Sequence, residues 1–137
     1  ARIETNLHSC TAMMTQRAAY AALTSSQEPS LRMVEAFRRR AKLVTDLLND
    51  IRGIRCARPR GAFYVFPNVT EACRNLGLEN ANALCDKLML EAGVAVLPRT
   101  CFGRRLEEEE YIRVSYATSD ENIVEGMRRI KQFVEGA

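Results

Sequence analysis

The sequence predicts an α+β fold: helices packed on a small, largely antiparallel sheet, with a long helix before it. Three observations carry this prediction. Apolar residues recur at three- and four-residue steps before Gly53, short runs of β-branched and aromatic residues follow it, and an amphipathic helical pattern closes the chain. The composition agrees, since 137 residues with 47% hydrophobic and 27% charged side chains, 7 Gly and 4 Pro suit one packed core. A core of this size needs neither metal nor disulfide to fold.

The first helix is expected over residues 12–23, a stretch rich in Ala and Met that ends in Thr24-Ser25-Ser26. The second is the strongest, with Leu31, Val34, Phe37, Ala41, Val44, Leu48 and Ile51 down one face. Ser26 or Ser30 caps its start, and Gly53 follows its end, where a left-handed residue is easiest. Arg38-Arg39-Arg40 on this helix, with Glu35 as a neighbour, reads as a solvated face. Past Gly53 the period changes, and Ile54-Arg55-Cys56 with Ala62-Phe63-Tyr64-Val65-Phe66 predicts a hairpin joined through 57–61.

A helix over 80–92 then presents Leu84, Cys85, Leu88, Met89 and Ala92 on one face and stops at Gly93. Val94-Ala95-Val96-Leu97 is expected as a short buried strand stopped by Pro98. The loop over 99–110 carries four consecutive glutamates and reads as a solvent-exposed turn. Residues 111–117 form the last strand. Thr118-x-x-Glu121 then makes a capping box for a terminal helix that turns Ile123, Met127, Ile130 and Val134 inward. The expected order is ααββαββα.

Composition also excludes function classes. Twenty Lys and Arg against 17 Asp and Glu leave a net charge of +3, too small to point to nucleic acid. No apolar run approaches the roughly 20 residues that span a bilayer, and the amino terminus lacks a signal-peptide layout, so no membrane partner and a cytoplasmic location are expected. The chain begins Ala1-Arg2-Ile3, which fits either a processed start or a piece of a longer polypeptide. Cys10, Cys56, Cys73, Cys85 and Cys101 are odd in number and widely spaced, and His8 is the single histidine, so neither a zinc site nor a disulfide framework is expected. The cysteines read as small semi-buried residues.

In the last strand Ile112, Val114 and Tyr116 share one face, while Tyr111, Arg113 and Ser115 share the other. On pattern alone, an arginine on the open face of an antiparallel sheet is an ordinary solvated side chain. Three segments in order change its weight. Gly61-Ala62-Phe63-Tyr64-Val65-Phe66-Pro67, then Glu91-Ala92-Gly93-Val94-Ala95-Val96-Leu97-Pro98, then Tyr111-Ile112-Arg113-Val114-Ser115-Tyr116-Ala117 resemble the class I/II aminotransferases, the fold-type I pyridoxal-phosphate enzymes of the aspartate aminotransferase family. The resemblance covers the small carboxy-terminal domain and the connection into it. It implies that residues 1–25 close the large domain and that 26–137 form the small one.

The resemblance further implies that Arg113 grips the α-carboxylate of an amino-acid substrate, because the family arginine of this strand does so. A planar guanidinium offers two parallel charge-assisted hydrogen bonds, which a lysine does not reproduce. Phe63 matches the family aromatic on the substrate side of the pocket, and as a strand Phe it serves equally well as core. Pro98-Arg99-Thr100-Cys101-Phe102-Gly103 is similar to the family's Pro-Gly-Ser/Thr-x-Phe-Gly loop, with Arg99 where glycine is commonest. That exchange puts the loop backbone in question and leaves an acidic substrate side chain as one partner for Arg99.

No catalytic residue and no cofactor-binding residue is expected here. The family's Schiff-base lysine and phosphate-binding set lie upstream, and Lys42, Lys87 and Lys131 all look solvent-facing on helices. The resemblance therefore implies pyridoxal 5'-phosphate held by a longer, homodimeric parent that acts on an amino acid, aspartate by family default, and a 2-oxo acid. The segment alone is expected to be inactive. A related carbon-sulfur lyase or synthase, and a non-catalytic aminotransferase-like regulatory module, are the alternatives.

Overall fold

The computed structural model describes residues 10–103 and 108–136, so the expectations that touch His8, Ala1-Arg2-Ile3 and Glu107 lie outside the described residues. The chain groups into two units, Ala1–Glu35 and Ala36–Ala137. The first holds helix α1, Met13–Thr24, and the opening turns of helix α2, Glu28–Asn49. Thr24 and Gln27 side chains donate to carbonyls of α1 at Tyr20 and Ala22 and close its last turn. Of the two expected caps for α2, Ser26 is the one used: its hydroxyl accepts from the Glu28 N–H. Met13, Met14, Tyr20 and Leu23 of α1 are exposed.

The second unit holds the rest of α2, strand β1 (Tyr64–Val65), helix α3 (Thr70–Asn75), helix α4 (Ala81–Glu91), strand β2 (Leu97–Pro98), a 3-10 turn over Arg99–Phe102, strand β3 (Ile112–Ser115) and helix α5 (Asp120–Glu135). The sheet order is β1-β3-β2 and both pairings are antiparallel. The fold is thus α+β, with helices on a small antiparallel sheet, as the sequence predicts. Val44, Leu48 and Ile51, Leu84 and Leu88, Ile112, Val114 and Tyr116, and Ile123, Met127 and Ile130 form one buried core. Fully burying each large aliphatic side chain is worth about 1.5–3 kcal/mol, so the helical stripes explain why these segments fold together.

Local structure departs from expectation at five points. The hairpin does not form. Ile54 and Cys56 are buried and alternate with exposed Arg55, but Asn49 takes both backbone groups of Cys56 through its side chain, at 2.8 and 2.9 Å. Only Arg55 pairs, and with Asn68, at 3.0 and 2.8 Å. Second, α3 was not expected. Its approach to the α2 exit is so close that a Cβ on Gly53, whose φ is +82°, would meet the Ala72 nitrogen at 2.8 Å. Glycine is required there on both counts.

Third, residues 94–96 lie outside the sheet, with the Val94 N–H donating to the Leu88 carbonyl at 2.9 Å, and the strand begins at Leu97 and includes Pro98. Pro98 is tolerated because β2 is an edge strand, where a missing N–H leaves no ladder bond broken. Val94 and Val96 are half-buried and Ala95 and Leu97 exposed, so the segment is not buried. Fourth, the cap of α5 is Ser119, whose hydroxyl accepts from the Asn122 N–H at 3.2 Å; Thr118 instead accepts from the Asn122 side chain. The glutamate run is also not uniformly exposed, since Glu110 is buried and accepts from the Ala81 N–H at 2.9 Å. It shares the start of α4 with Asn80, whose side chain accepts from Asn82 and Ala83.

Candidate functional site

The central position of β3 decides which side chains meet. Ile112, Val114 and Tyr116 point into the core, so Tyr111, Arg113 and Ser115 lie on the opposite face. Register then selects the neighbours. Tyr64 pairs with Ser115 and Val65 with Val114, which places Tyr64 and Phe66 of the β1 side on the Arg113 face. From the other edge, the turn after β2 brings Phe102.

The Arg113 guanidinium carbon stands 4.4 Å from the Tyr64 ring centroid and 4.5 Å from that of Phe102. Contacts of this kind with aromatic faces hold a guanidinium by about 0.5–1 kcal/mol each at exposed sites. Phe66 completes the set, 5.7 Å from Tyr111 and 6.1 Å from Phe102 between centroids. Among the described residues no carboxylate pairs with Arg113. A cation held by rings, with its hydrogen-bonding edge uncommitted, suits an incoming carboxylate.

Phe63 stands behind this cluster. Its ring centroid is 4.4 Å from Tyr64 and 6.1 Å from Phe37, and it is 40% exposed, so it supports Tyr64 and is not core. The turn that presents both rings is unusual: Ala62 has φ +60° and is the one non-glycine residue in the left-handed region among those described. That conformation costs about 1–2 kcal/mol. Tyr116 holds it from the core side, donating its hydroxyl to the Ala62 carbonyl at 3.0 Å and its N–H to the Phe63 carbonyl at 3.0 Å. Arg99 needs no such strain. It opens the 3-10 turn outside the left-handed region, and its guanidinium lies 5.5 Å from the Tyr111 centroid.

Tyr64 and Phe102 are the site side chains that sequence reasoning missed. The signal for Tyr64 was the period of two within its own strand, once β1 is registered on Ser115 rather than on a hairpin partner. Phe102 had no periodic signal, because a turn delivers it.

Other chemistry-bearing groups are committed elsewhere. Lys42 pairs with Asp46 at 2.5 Å, Lys87 with Glu91 at 3.0 Å and Lys131 with Asp50 at 2.5 Å. All three are ion pairs on exposed helix surfaces. Burial pushes the thiols of Cys56 and Cys73 up to about 11 and that of Cys85 up to about 12, so they are protonated and inert near neutrality. Cys10 and Cys101 are exposed, unlike the semi-buried places expected of them. Arg39 and Arg40 both reach Asp120, each at 2.9 Å, so the arginine run is more than a solvated face. Among the described residues there is no metal-binding cluster and no helix long and apolar enough to cross a membrane.

Fold and site together define a small α+β domain with a ring-held arginine on the open face of its sheet. Comparison with known proteins is specific. Residues 1–130 match the family model for aminotransferase class I and II. The chain is 39% identical over 120 residues to an aspartate aminotransferase of Bacillus subtilis, covering 88% of this chain and 30% of that protein. It is 40% identical over 125 residues to an aspartate/prephenate aminotransferase of Nitrosomonas europaea, covering 87% of this chain and 30% of that protein. Among solved structures, an aspartate aminotransferase from Rhizobium meliloti matches with TM-score 0.85 and 31% identity, over 97% of this chain and 34% of that one. An aromatic aminotransferase from Pyrococcus horikoshii matches with TM-score 0.85 and 32% identity, over 98% and 35%. The chain belongs to the class I and II aminotransferase family, and it spans about a third of the length of these relatives.

Proposed function

We propose that the chain is the carboxy-terminal part of a pyridoxal-phosphate-dependent aminotransferase, which moves an amino group from aspartate or a related amino acid to a 2-oxo acid. In this reading residues 1–25 end the large domain, 26–137 form the small one, and Arg113 binds the substrate α-carboxylate. The observation that carries it is the Arg113 guanidinium set against the Tyr64 and Phe102 rings on the open sheet face. The family membership and the aspartate aminotransferases among its relatives support the reaction class.

Arg113 contributes orientation as much as affinity. Two parallel hydrogen bonds fix the carboxylate plane, and with it the direction of the substrate Cα bonds, so the reacting bond is chosen before chemistry starts. The rings limit the positions the guanidinium visits, which lowers the entropy lost on binding. Phe63 acts through Tyr64, which it packs against. Pyridoxal phosphate, when bound, supplies the electron sink for amino transfer, and its anchor belongs to the rest of the polypeptide. The segment alone is inactive in this reading, and the homodimeric parent follows from the same resemblance.

The test is steady-state kinetics of the full-length enzyme with Arg113→Ala and Arg113→Lys. Hydrogen bonds to charged groups contribute about 1.5–3 kcal/mol each, so kcat/KM should fall by about 100-fold or more in Arg113→Ala. Arg113→Lys should recover only a small part. An unchanged kcat/KM in Arg113→Ala, or a wild-type enzyme that takes the amino group from no amino acid, would overturn the reading.

A further inference from the structure

The turn that delivers Phe102 to Arg113 is held by polar contacts and not by burial. No side chain of the turn over Arg99–Phe102 is buried, and Thr100, Cys101 and Phe102 are exposed. Two hydrogen bonds fix it instead. At its start the Arg99 N–H donates to the Tyr111 carbonyl at 3.0 Å, which continues the β2–β3 pairing by one residue. At the next residue the Thr100 hydroxyl donates to the Asn82 side-chain oxygen at 2.9 Å.

Asn82 is a firm point of attachment. It lies in the first turn of α4, where the Asn80 side chain accepts from the Asn82 and Ala83 N–H groups, and Ala81, Leu84 and Leu88 seat the helix in the core. The start of α4 is tied to the approach to β3 as well. Glu110 accepts from the Ala81 N–H at 2.9 Å and donates its own N–H to the Thr70 hydroxyl at 2.8 Å, and it leads directly into Tyr111 and β3. The contacts thus close a circuit, from Arg113 back along β3 to Glu110, across to α4 and Asn82, and through Thr100 to Phe102. The Phe102 ring centroid then stands 4.5 Å from the Arg113 guanidinium carbon.

We propose that Thr100 is a positioning residue for substrate binding: its hydroxyl, fixed on Asn82, sets the Phe102 ring that steadies the Arg113 guanidinium for the α-carboxylate. This rests on the role of Arg113 given above. The hydroxyl acts only through Phe102. Thr100 and Asn82 are both exposed, so water replaces the bond when it is lost, and the turn gains freedom while the core stays intact. The α-carboxylate is common to all amino acids, so the effect is independent of the donor side chain.

The experiment measures kcat and KM of the full-length enzyme with the two donors that wild type uses best among aspartate, glutamate, alanine and phenylalanine. The variants are Thr100→Val, Thr100→Ser, Phe102→Leu, the Thr100→Val/Phe102→Leu double variant and Arg113→Ala. Thr100→Val should raise KM about 3- to 10-fold for both donors, with kcat changed less than about twofold and the urea unfolding midpoint near that of wild type. Thr100→Ser keeps the hydroxyl and should restore the wild-type KM. In the Phe102→Leu background, Thr100→Val should add less than about 1.5-fold, because the ring it positions is gone. An unchanged KM in Thr100→Val, a rise for one donor only, or the same rise with and without Phe102 would overturn the Thr100 assignment, leaving Arg113 in place if Arg113→Ala still cripples both donors. Full activity in Arg113→Ala would instead overturn the reading beneath it, and the Thr100 assignment with it.

Discussion

The two faces of β3 come from one alternating strand and are held by opposite kinds of interaction. On one side Ile112, Val114 and Tyr116 are 0%, 5% and 1% exposed and pack into the core. On the other, Arg113 and Tyr111 meet rings and solvent. Burial is non-directional and scales with area, so Ile112 and Val114 tolerate apolar residues of similar shape. The second face depends on where a charge stands and which rings hold it. With Arg113 in the role proposed for it, stability and binding are separable along a single strand, residue by residue.

The largest test of that separation is Ile112→Ala against Arg113→Ala. Ile112 is fully enclosed, and its truncation should cost about 2–5 kcal/mol through lost burial and the cavity left behind. Arg113→Ala removes only ring contacts on an open face and should cost about 1 kcal/mol. Urea unfolding of both variants checks this. If Arg113→Ala destabilises as much as Ile112→Ala, the open face is structural and the contrast fails.

A smaller effect should appear where the faces are joined. The Tyr116 ring is core, but its hydroxyl reaches the Ala62 carbonyl and holds the strained turn that presents Phe63 and Tyr64. Tyr116→Phe should cost about 1 kcal/mol of stability and, unlike a change elsewhere in the core, also raise KM by loosening the Tyr64 support of Arg113. Ala62→Gly in the Tyr116→Phe background should recover part of the KM loss, because glycine holds the left-handed turn without strain. Unfolding and kinetics on the same samples test this. A stability loss with unchanged KM would confine Tyr116 to the buried face.

How far these features were legible follows the range of the interactions. The stripes of α2, α4 and α5 and the alternation in β3 are set by neighbours within a few residues, so Val44, Leu84, Ile112 and Ile130 were readable as core. The hairpin failed because Asn49, seven residues away, competes for the Cys56 backbone, a contact no local pattern encodes. The capping box slipped by one residue because Thr118 and Ser119 are equally good caps in sequence and tertiary packing chooses between them. At the site, the Arg113 face was readable from alternation, and the role proposed for Arg113 comes only from the family resemblance. Tyr64 and Phe102 were not readable, since their meeting depends on the β1-β3-β2 order and on a turn.

The smallest effect should come from a group on neither face. Asp120 opens α5 just beyond β3 and accepts from both Arg39 and Arg40 of α2. Those hydrogen bonds, Arg39 first and Arg40 next, hold its carboxyl below the ordinary aspartate value of 3.8. A carboxyl depressed in the folded state binds its proton more readily when unfolded, so its contribution is complete above the ordinary aspartate range and is lost as pH falls through the folded value. Asp120→Asn should thus lower stability slightly near neutrality and flatten the fall of stability with acid below about pH 4, so that the two proteins converge at low pH. The difference should shrink in high salt, because exposed pairs are screened. Glu125, held at about 2 by Arg128 and Arg129, titrates lower and entirely within α5. An Asp120→Asn variant whose KM shifts at neutral pH would show that the α2–α5 pairing also sets the open face, and would extend the binding region beyond the sheet.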